Sequence, residues 1–275
     1  MEKNSLSPSA MRSEFLTLFR GIALERHRHD VFRDFVTTSA IAIHNAVNMN
    51  EELETEYLNI INTYNSEDIQ RMCEMLGLLT MLLEPEPTDI LGGLYMEIGL
   101  GSEQNGQYFT PAAVSELMAQ IGHGDGLRNL DKPFVTLSEP ACGAGGMVLA
   151  FAKIMLSHKH NPADKLWVSC IDINRVAALM AYLQLSLWNI PGEIIVGNAL
   201  SMEMRERWLT PAHYLNNWEY RLRMQALLTA SKSTTCDHLS PTEEGIQKTP
   251  PQQLGSGCHK INISTGEQVA FDFEL

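Results

Sequence analysis

Three glycines within four positions, Gly143, Gly145 and Gly146, stand a few residues beyond an acidic one, Glu139, which follows the apolar run Phe134–Leu137. A second apolar segment, Met147–Leu156, begins at once. The order is that of a buried strand, a tight glycine turn and the first turns of a helix. Glycines at such a turn tolerate positive φ and let a ligand approach the backbone. The helix start behind them presents unpaired N–H groups. A carboxylate at the strand end suits a phosphate poorly and suits a ligand carrying an amine, such as an amino acid. Taken alone, the same residues would also make a plain strand–helix turn in an α/β domain.

The neighbouring segments give this turn a setting. Gln107–Pro111 reads QYFTP and precedes a helix-like AAVSELMAQI. Trp167–Ile173, WVSCIDI, is a short apolar strand ending on Asp172, and a helical pattern follows over Arg175–Trp188. A third strand, Glu193–Val196, runs into Gly197-Asn198-Ala199-Leu200. Asp172 and Asn198 could be ordinary loop and cap residues. Both lie at strand ends, however, on the side where open α/β sheets bind ligands.

QYFTP, EPACGAGGM, CIDINRVAALMAYLQLSLW and VGNAL, in that order, resemble the adenine-N6 DNA methyltransferases, in particular the modification subunit of type I restriction systems. The upstream DILGGLYMEIGL is similar to the segment that precedes the F-T-P motif there, so the resemblance covers roughly 89–200. It implies S-adenosylmethionine as cofactor. By that resemblance Phe109, Thr110 and Pro111 pack over the methionine part of the cofactor. The turn through Cys142, Gly143 and Gly145 passes beneath it, with Glu139 near its amino group. Asp172 would accept from the ribose hydroxyls, as an ionised carboxylate can do twice. Asn198 would meet the adenine edge, donating and accepting through its amide. Cys142 itself reads as a small packing residue with nothing nearby to activate a thiol.

Past Leu200 the resemblance stops. The family has a fourth strand ending in Asn/Asp-Pro-Pro-Tyr/Phe, whose groups grip a flipped adenine. Here the sequence reads SMEMRERWLTPAHYLNNWEYRLRM, and the one Pro250-Pro251 pair is followed by Gln252. The expectation is a helical segment with Trp208, Leu215, Trp218, Tyr220 and Leu222 packing on the sheet, and no catalytic residue is assigned. The 75 residues after Leu200 are too few for the family's remaining strands and helices. Thr229–Gly257, rich in Ser, Thr, Pro, Gly and Gln, reads as a linker. Ile261–Phe273 alternates around Thr265-Gly266 as a terminal hairpin would. Cys236, His238, Cys258 and His259 match no common zinc spacing, so no metal site is expected.

The elements that must hold these residues follow from periodicity. Residues 10–84 read as helices: Phe15, Leu18, Phe19 and Ile22 recur at helical spacing, as do Leu53, Tyr57, Ile60 and Ile61. Ser66-Glu67-Asp68 reads as a cap before Ile69–Leu83. The division expected is a helical N-terminal region at 1–87, a cofactor-binding domain at 88–228, and a linker with terminal hairpin at 229–275. The fold class expected is α/β: a partial Rossmann-like methyltransferase sheet of about three parallel strands joined by right-handed crossovers. Its first strand would be an open edge, needing cover from the N-terminal helices, the Trp-rich segment or a partner.

Composition bounds the partners. The 275 residues are 44% hydrophobic, enough for a sizeable core, and no apolar run approaches the length of a membrane span. There is no signal-peptide core, and five scattered cysteines make no disulfide framework, so a reduced, cytoplasmic protein is expected. A net charge of −13 opposes the phosphate neutralisation on which DNA affinity rests. The densest basic cluster, Arg26-His27-Arg28-His29 with Arg20 and Arg33, reads foremost as one solvated helix face. DNA contact is therefore expected through a complex, with restriction–modification subunits as partners. Two function classes stay open: part of an adenine-N6 methyltransferase whose base-binding half comes from elsewhere, or a non-catalytic cofactor-binding or interaction protein such as an anti-restriction or regulatory subunit.

Overall fold

The computed structural model describes residues 7–101, 109–128, 130–236 and 269–270. Four helices lead: α1 Pro8–Gly21, α2 Arg28–Asn45, α3 Glu51–Ile61 and α4 Ser66–Leu83. Their starts are set by local chemistry. Ser7 accepts from the Ala10 N–H with Pro8 in the first turn, and Asn50 accepts from Glu52 and Leu53. The cap of α4 is Asn65, accepting from the Asp68 N–H, one residue earlier than the sequence suggested. A side-chain oxygen at this position satisfies an otherwise orphan donor of the first turn. Phe15, Phe19, Phe32 and Phe35 interlock edge to face at the centre of this region.

The basic cluster is not one solvated helix face. It straddles the end of α1 and the start of α2. Arg28 turns inward and donates to the carbonyls of Phe19, Ile22, Ala23 and Arg26, closing the end of α1. A planar guanidinium suits this task because its donors fork toward several carbonyls at once. Arg26 and Arg33 both pair with the buried Asp34.

Helix α5 (Ile90–Glu97) and helix α6 (Ala112–Arg128) lead into the sheet. Then come β1 (Val135–Glu139), α7 (Gly146–Ser157), the short α8 (Pro162–Lys165), β2 (Leu166–Asp172), α9 (Arg175–Leu187) and β3 (Gly192–Asn198). These three strands are parallel, with Leu137 opposite Val168 and Cys170 opposite Ile194. Leu166, Val168, Cys170, Ile194 and Val196 are buried on alternate positions, as a strand packed on one face requires. Beyond α9 lie the N-terminal helices. Arg175, at the first position of α9, is held by both carboxylate oxygens of Glu56 on one side and by Glu206 on the other.

Residues 203–209 correct the helical reading of the segment after Leu200. They form β4 (Glu203–Leu209), antiparallel to β3, so Trp208 is a strand residue opposite Ile194. A bulge falls between Val196 and Gly197, where a Cβ on Gly197 would stand 2.6 Å from the Glu203 carbonyl oxygen. Only glycine permits that approach. Helices α10 (Pro211–Leu215) and α11 (Trp218–Cys236) follow, so positions 229–236 are helix and not linker, while 237–257 lie outside the described residues.

Of the expected hairpin at 261–273, only Val269–Ala270 falls within the described residues. It forms β5, parallel to β1, with Val269 opposite Leu137 and Ala270 opposite Ser138. The sheet order is β4-β3-β2-β1-β5, and the edge of β1 is met by the chain's own strand. Among the described residues no helix is long and apolar enough to cross a membrane.

Candidate cofactor site

The carboxyl ends of β1 and β2 face one another across the glycine turn. Gly143 and Gly145 adopt φ of +53° and +89°, the left-handed region in which a Cβ is strained. The turn is tied to its surroundings by short bonds. The Cys142 N–H donates to the Ile171 carbonyl at 2.9 Å, and the Gly145 N–H to the Cys142 carbonyl at 2.8 Å. The Gly143 N–H donates to Asp172 Oδ2 at 2.8 Å, and the Asn174 N–H to Asp172 Oδ1 at 2.8 Å. Asp172 thus joins the turn to the start of α9, and each of its oxygens keeps acceptor capacity.

Glu139 is buried at 3% exposure. Its Oε1 accepts from the Ala141 N–H at 3.2 Å, while Oε2 has no hydrogen-bond partner. Burial raises the carboxyl pKa of both Glu139 and Asp172. Backbone donors oppose the shift at both, and the charge of Asp172 adds to it at Glu139. Both carboxyls are thus desolvated at one end of the sheet, and the ionised form of either would be stabilised by a cation placed beside it. The Cys142 thiol is held well above its ordinary range by a hydrogen bond with the Cys170 thiol and by burial, which makes it a packing group and not a nucleophile.

Phe109 comes to the same place from the other side. Its ring stands edge-on to Tyr95 with centroids 5.5 Å apart, and a Cβ on Gly143 would lie 3.1 Å from it. Thr110 and Pro111 are exposed just after it, and the Pro111 carbonyl accepts from Val114 and Ser115 to open α6. Phe109, Glu139, Cys142, Gly143, Gly145 and Asp172 are thereby gathered around one turn. Asn198 stands apart, at the end of β3 and two residues beyond the partner of Asp172. Its side-chain oxygen is engaged by the N–H groups of Leu200 and Ser201 at 2.9 and 3.2 Å. The expectation that this amide would both donate and accept toward a ligand is thus narrowed to its nitrogen.

Two features were not read from the sequence. The first is Gln184 on α9, fully buried. Its Nε2 donates to the Ala144 carbonyl at 2.8 Å and to Asp89 Oδ1 at 2.9 Å, while its Oε1 accepts from the N–H groups of Ile90 and Leu91. A lone amide within an apolar helix run was the available signal. The second is the pair Ile173 and Leu200, exposed at 62% and 97% beside Asp172 and Asn198. Apolar side chains so exposed at a polar strand end give a flat ring something to lie against.

Residues 90–222 match the model of the N-6 DNA methylase family. No curated protein matches the chain. A solved structure from Listeria monocytogenes, described as a class I S-adenosylmethionine-dependent methyltransferase, is similar at 15% identity with a TM-score of 0.35, covering 66% of this chain and 51% of that one. The type I restriction-modification system methyltransferase subunit of Streptococcus thermophilus is similar at 12% identity with a TM-score of 0.34, covering 68% and 57%. The chain thus spans between half and three-fifths of the length of these two structures.

S-adenosylmethionine, the cofactor implied by this family, carries a sulfonium and an amine. The orphaned Glu139 oxygen, the spare acceptor capacity of Asp172 and the positive-φ glycines fit such a ligand, so the residues present agree with the group. Over residues 90–222 the chain carries the pattern of the N-6 DNA methylases.

Proposed function

We propose that the chain binds S-adenosylmethionine at the carboxyl ends of β1, β2 and β3 and serves as the cofactor-binding part of a DNA adenine-N6 methyltransferase. The observation that carries this reading is the meeting of two desolvated carboxylates, Glu139 and Asp172, over a positive-φ glycine turn. Glu139 would take the methionine amine on its unpaired oxygen. Asp172 would accept from the ribose hydroxyls while holding the turn through Gly143. Ile173 and Leu200 would flank the adenine ring, with the Asn198 nitrogen at its edge. Phe109, Thr110 and Pro111 would close over the methionine end and exclude water. When bound, the cofactor supplies an electrophilic methyl group.

The acceptor in this reading is the exocyclic amine of adenine in DNA. The chain's charge of −13 disfavours direct phosphate contact, so the reading includes a partner polypeptide that brings basic surface and the base-binding groups. The helical region 1–87 would face such a partner, residues 88–228 would hold the cofactor, and 229–275 would serve as linker and terminal strand. Cys73, Cys142 and Cys170 are free thiols, which accords with a reduced, cytoplasmic setting. One observation favours a second, non-catalytic reading: after β3 the chain returns at once as antiparallel β4, giving a cofactor-binding scaffold without a described base-gripping strand.

Calorimetric titration of the purified protein with S-adenosylmethionine is the test. Micromolar binding lost in Asp172→Ala supports the site, and methyl transfer to adenine in DNA, alone or with a partner subunit, separates the two readings. No binding to the folded protein would overturn both.

A further inference from the structure

Helix α11 turns large apolar side chains to solvent. Its first turn is anchored: Trp218 is fully buried, with its ring 4.9 Å from that of Phe134, and Arg221 stacks on Trp218 at 3.7 Å. Arg221 also donates to the Asp164 carbonyl. The half-buried Arg221, Leu222 and Gln225 share the side turned to the body. Tyr220, Met224 and Leu227 recur at helical spacing on the opposite side and are exposed at 58%, 38% and 60%. A surface helix ordinarily turns its apolar stripe inward.

The course of the chain says what covers this stripe. At 1.5 Å per residue, α11 carries Cys236 roughly 27 Å from its anchor beside Phe134. Yet at Val269 the chain is back beside β1, opposite Leu137, three residues from Phe134. The described chain therefore leaves the far end of α11 at Cys236 and is met again near the start of that helix at Val269. Just before β5 lie Ile261 and Ile263, the only large aliphatic residues in the last dozen positions of that segment. In extended chain they reach about 20–26 Å back from Val269, beyond the roughly 14 Å that separates Leu227 from the anchored turn.

We propose that the outward stripe of α11 is the docking surface of the chain's own residues 257–268, with Ile261 and Ile263 seated on Tyr220, Met224 and Leu227. The β5–β1 pairing fixes one end of that segment and α11 fixes the other, so docking closes an intramolecular loop. Loop closure of this length adds little entropic cost with each further residue. The stripe is then an internal surface of the full chain.

The test is photo-crosslinking of the full chain with Leu227→p-benzoylphenylalanine, and separately with Met224→p-benzoylphenylalanine, both at exposed positions that leave the fold intact by circular dichroism. The expected product is an intrachain crosslink to a peptide within 257–268. At about 1 µM protein it should exceed interchain product by roughly a hundredfold or more, because tethering sets an effective concentration on the order of millimolar. Ile263→Asp should reduce that crosslink at least about tenfold, the cost of burying a charge on an apolar face. Crosslinks mainly between chains would show that a second copy covers the stripe, and no crosslink from a folded chain would show that nothing does. Either outcome overturns the proposal.

Discussion

Gln184 donates through Nε2 to the carbonyl of Ala144 at 2.8 Å, so helix α9 holds the glycine turn from behind. The same amide reaches Asp89 and the first N–H groups of α5, the helix that carries Tyr95 toward Phe109. One buried side chain thus sets the spacing between the floor of the candidate site and the segment that closes it.

Gln184→Ala should destabilise the protein by about 2–4 kcal/mol, since it removes the partner of two N–H groups, a carbonyl and the Asp89 carboxylate. Urea denaturation monitored by circular dichroism measures this. Cofactor affinity should fall as well, although Gln184 touches no ligand in the proposed pose. Unchanged stability would mean that water replaces the amide at no cost.

Gly145→Ala should cost about 1–2 kcal/mol from the left-handed backbone alone. A Cβ there would also meet the Cβ of Ala181 at 3.3 Å, pressing the turn against α9. A shift of the thermal midpoint, followed by calorimetric titration of the variant, separates the loss of fold from the loss of binding.

Asp172→Ala removes the acceptor of both the Gly143 and Asn174 N–H groups. With two charge-assisted ribose bonds lost as well, affinity should fall by roughly two orders of magnitude or more. A tenfold loss or less would place the ribose elsewhere.

The binding of a cationic ligand should be pH dependent, with a sign fixed by the raised pKa values of Glu139 and Asp172. Each acid binds its proton more tightly in the fold than in the unfolded chain, so its burial opposes folding at neutral pH, and that penalty fades as pH falls through the raised pKa. The ligand needs the ionised forms. Affinity should therefore hold at neutral pH and fall on acidification, beginning above the ordinary carboxylate range of about 4. In Glu139→Gln the neutral-pH affinity should drop and the acid-side decline should shrink. A decline identical to that of the unaltered protein would remove Glu139 from the ligand's surroundings.

The parts of the fold visible in the sequence are those buried on a periodic face. Strands β1 to β3 announce themselves because Leu137, Val168, Cys170, Ile194 and Val196 must be apolar, and the turn between β1 and α7 because its glycines must adopt positive φ. Strand β4 hides behind EMRERWL. Only Trp208 of its seven residues is buried, so an edge strand carries almost no apolar signature. Gln184 was invisible for the opposite reason: its neighbours on α9 are so uniformly apolar that one amide reads as tolerance, when in the structure all its hydrogen-bonding groups are used. The inward turn of Arg28 likewise depends on where α1 ends, a boundary that periodicity places only to within a few residues.

Strand β4 also gives the sheet a direction of growth. Glu203, Arg205, Glu206 and Arg207 line its length, and a row of alternating charges makes a poor template for another backbone. The opposite flank, β1, offers Val-Thr-Leu-Ser with no charge until Glu139, and there, among the described residues, the chain lays the two residues of β5. Any polypeptide that lengthens this sheet must enter on that flank, displacing or extending β5, and its strand would then stand next to Glu139. Addition at one boundary only would make assembly on this sheet both ordered and competitive: the chain's own terminal strand and an incoming one would contend for Leu137 and Ser138.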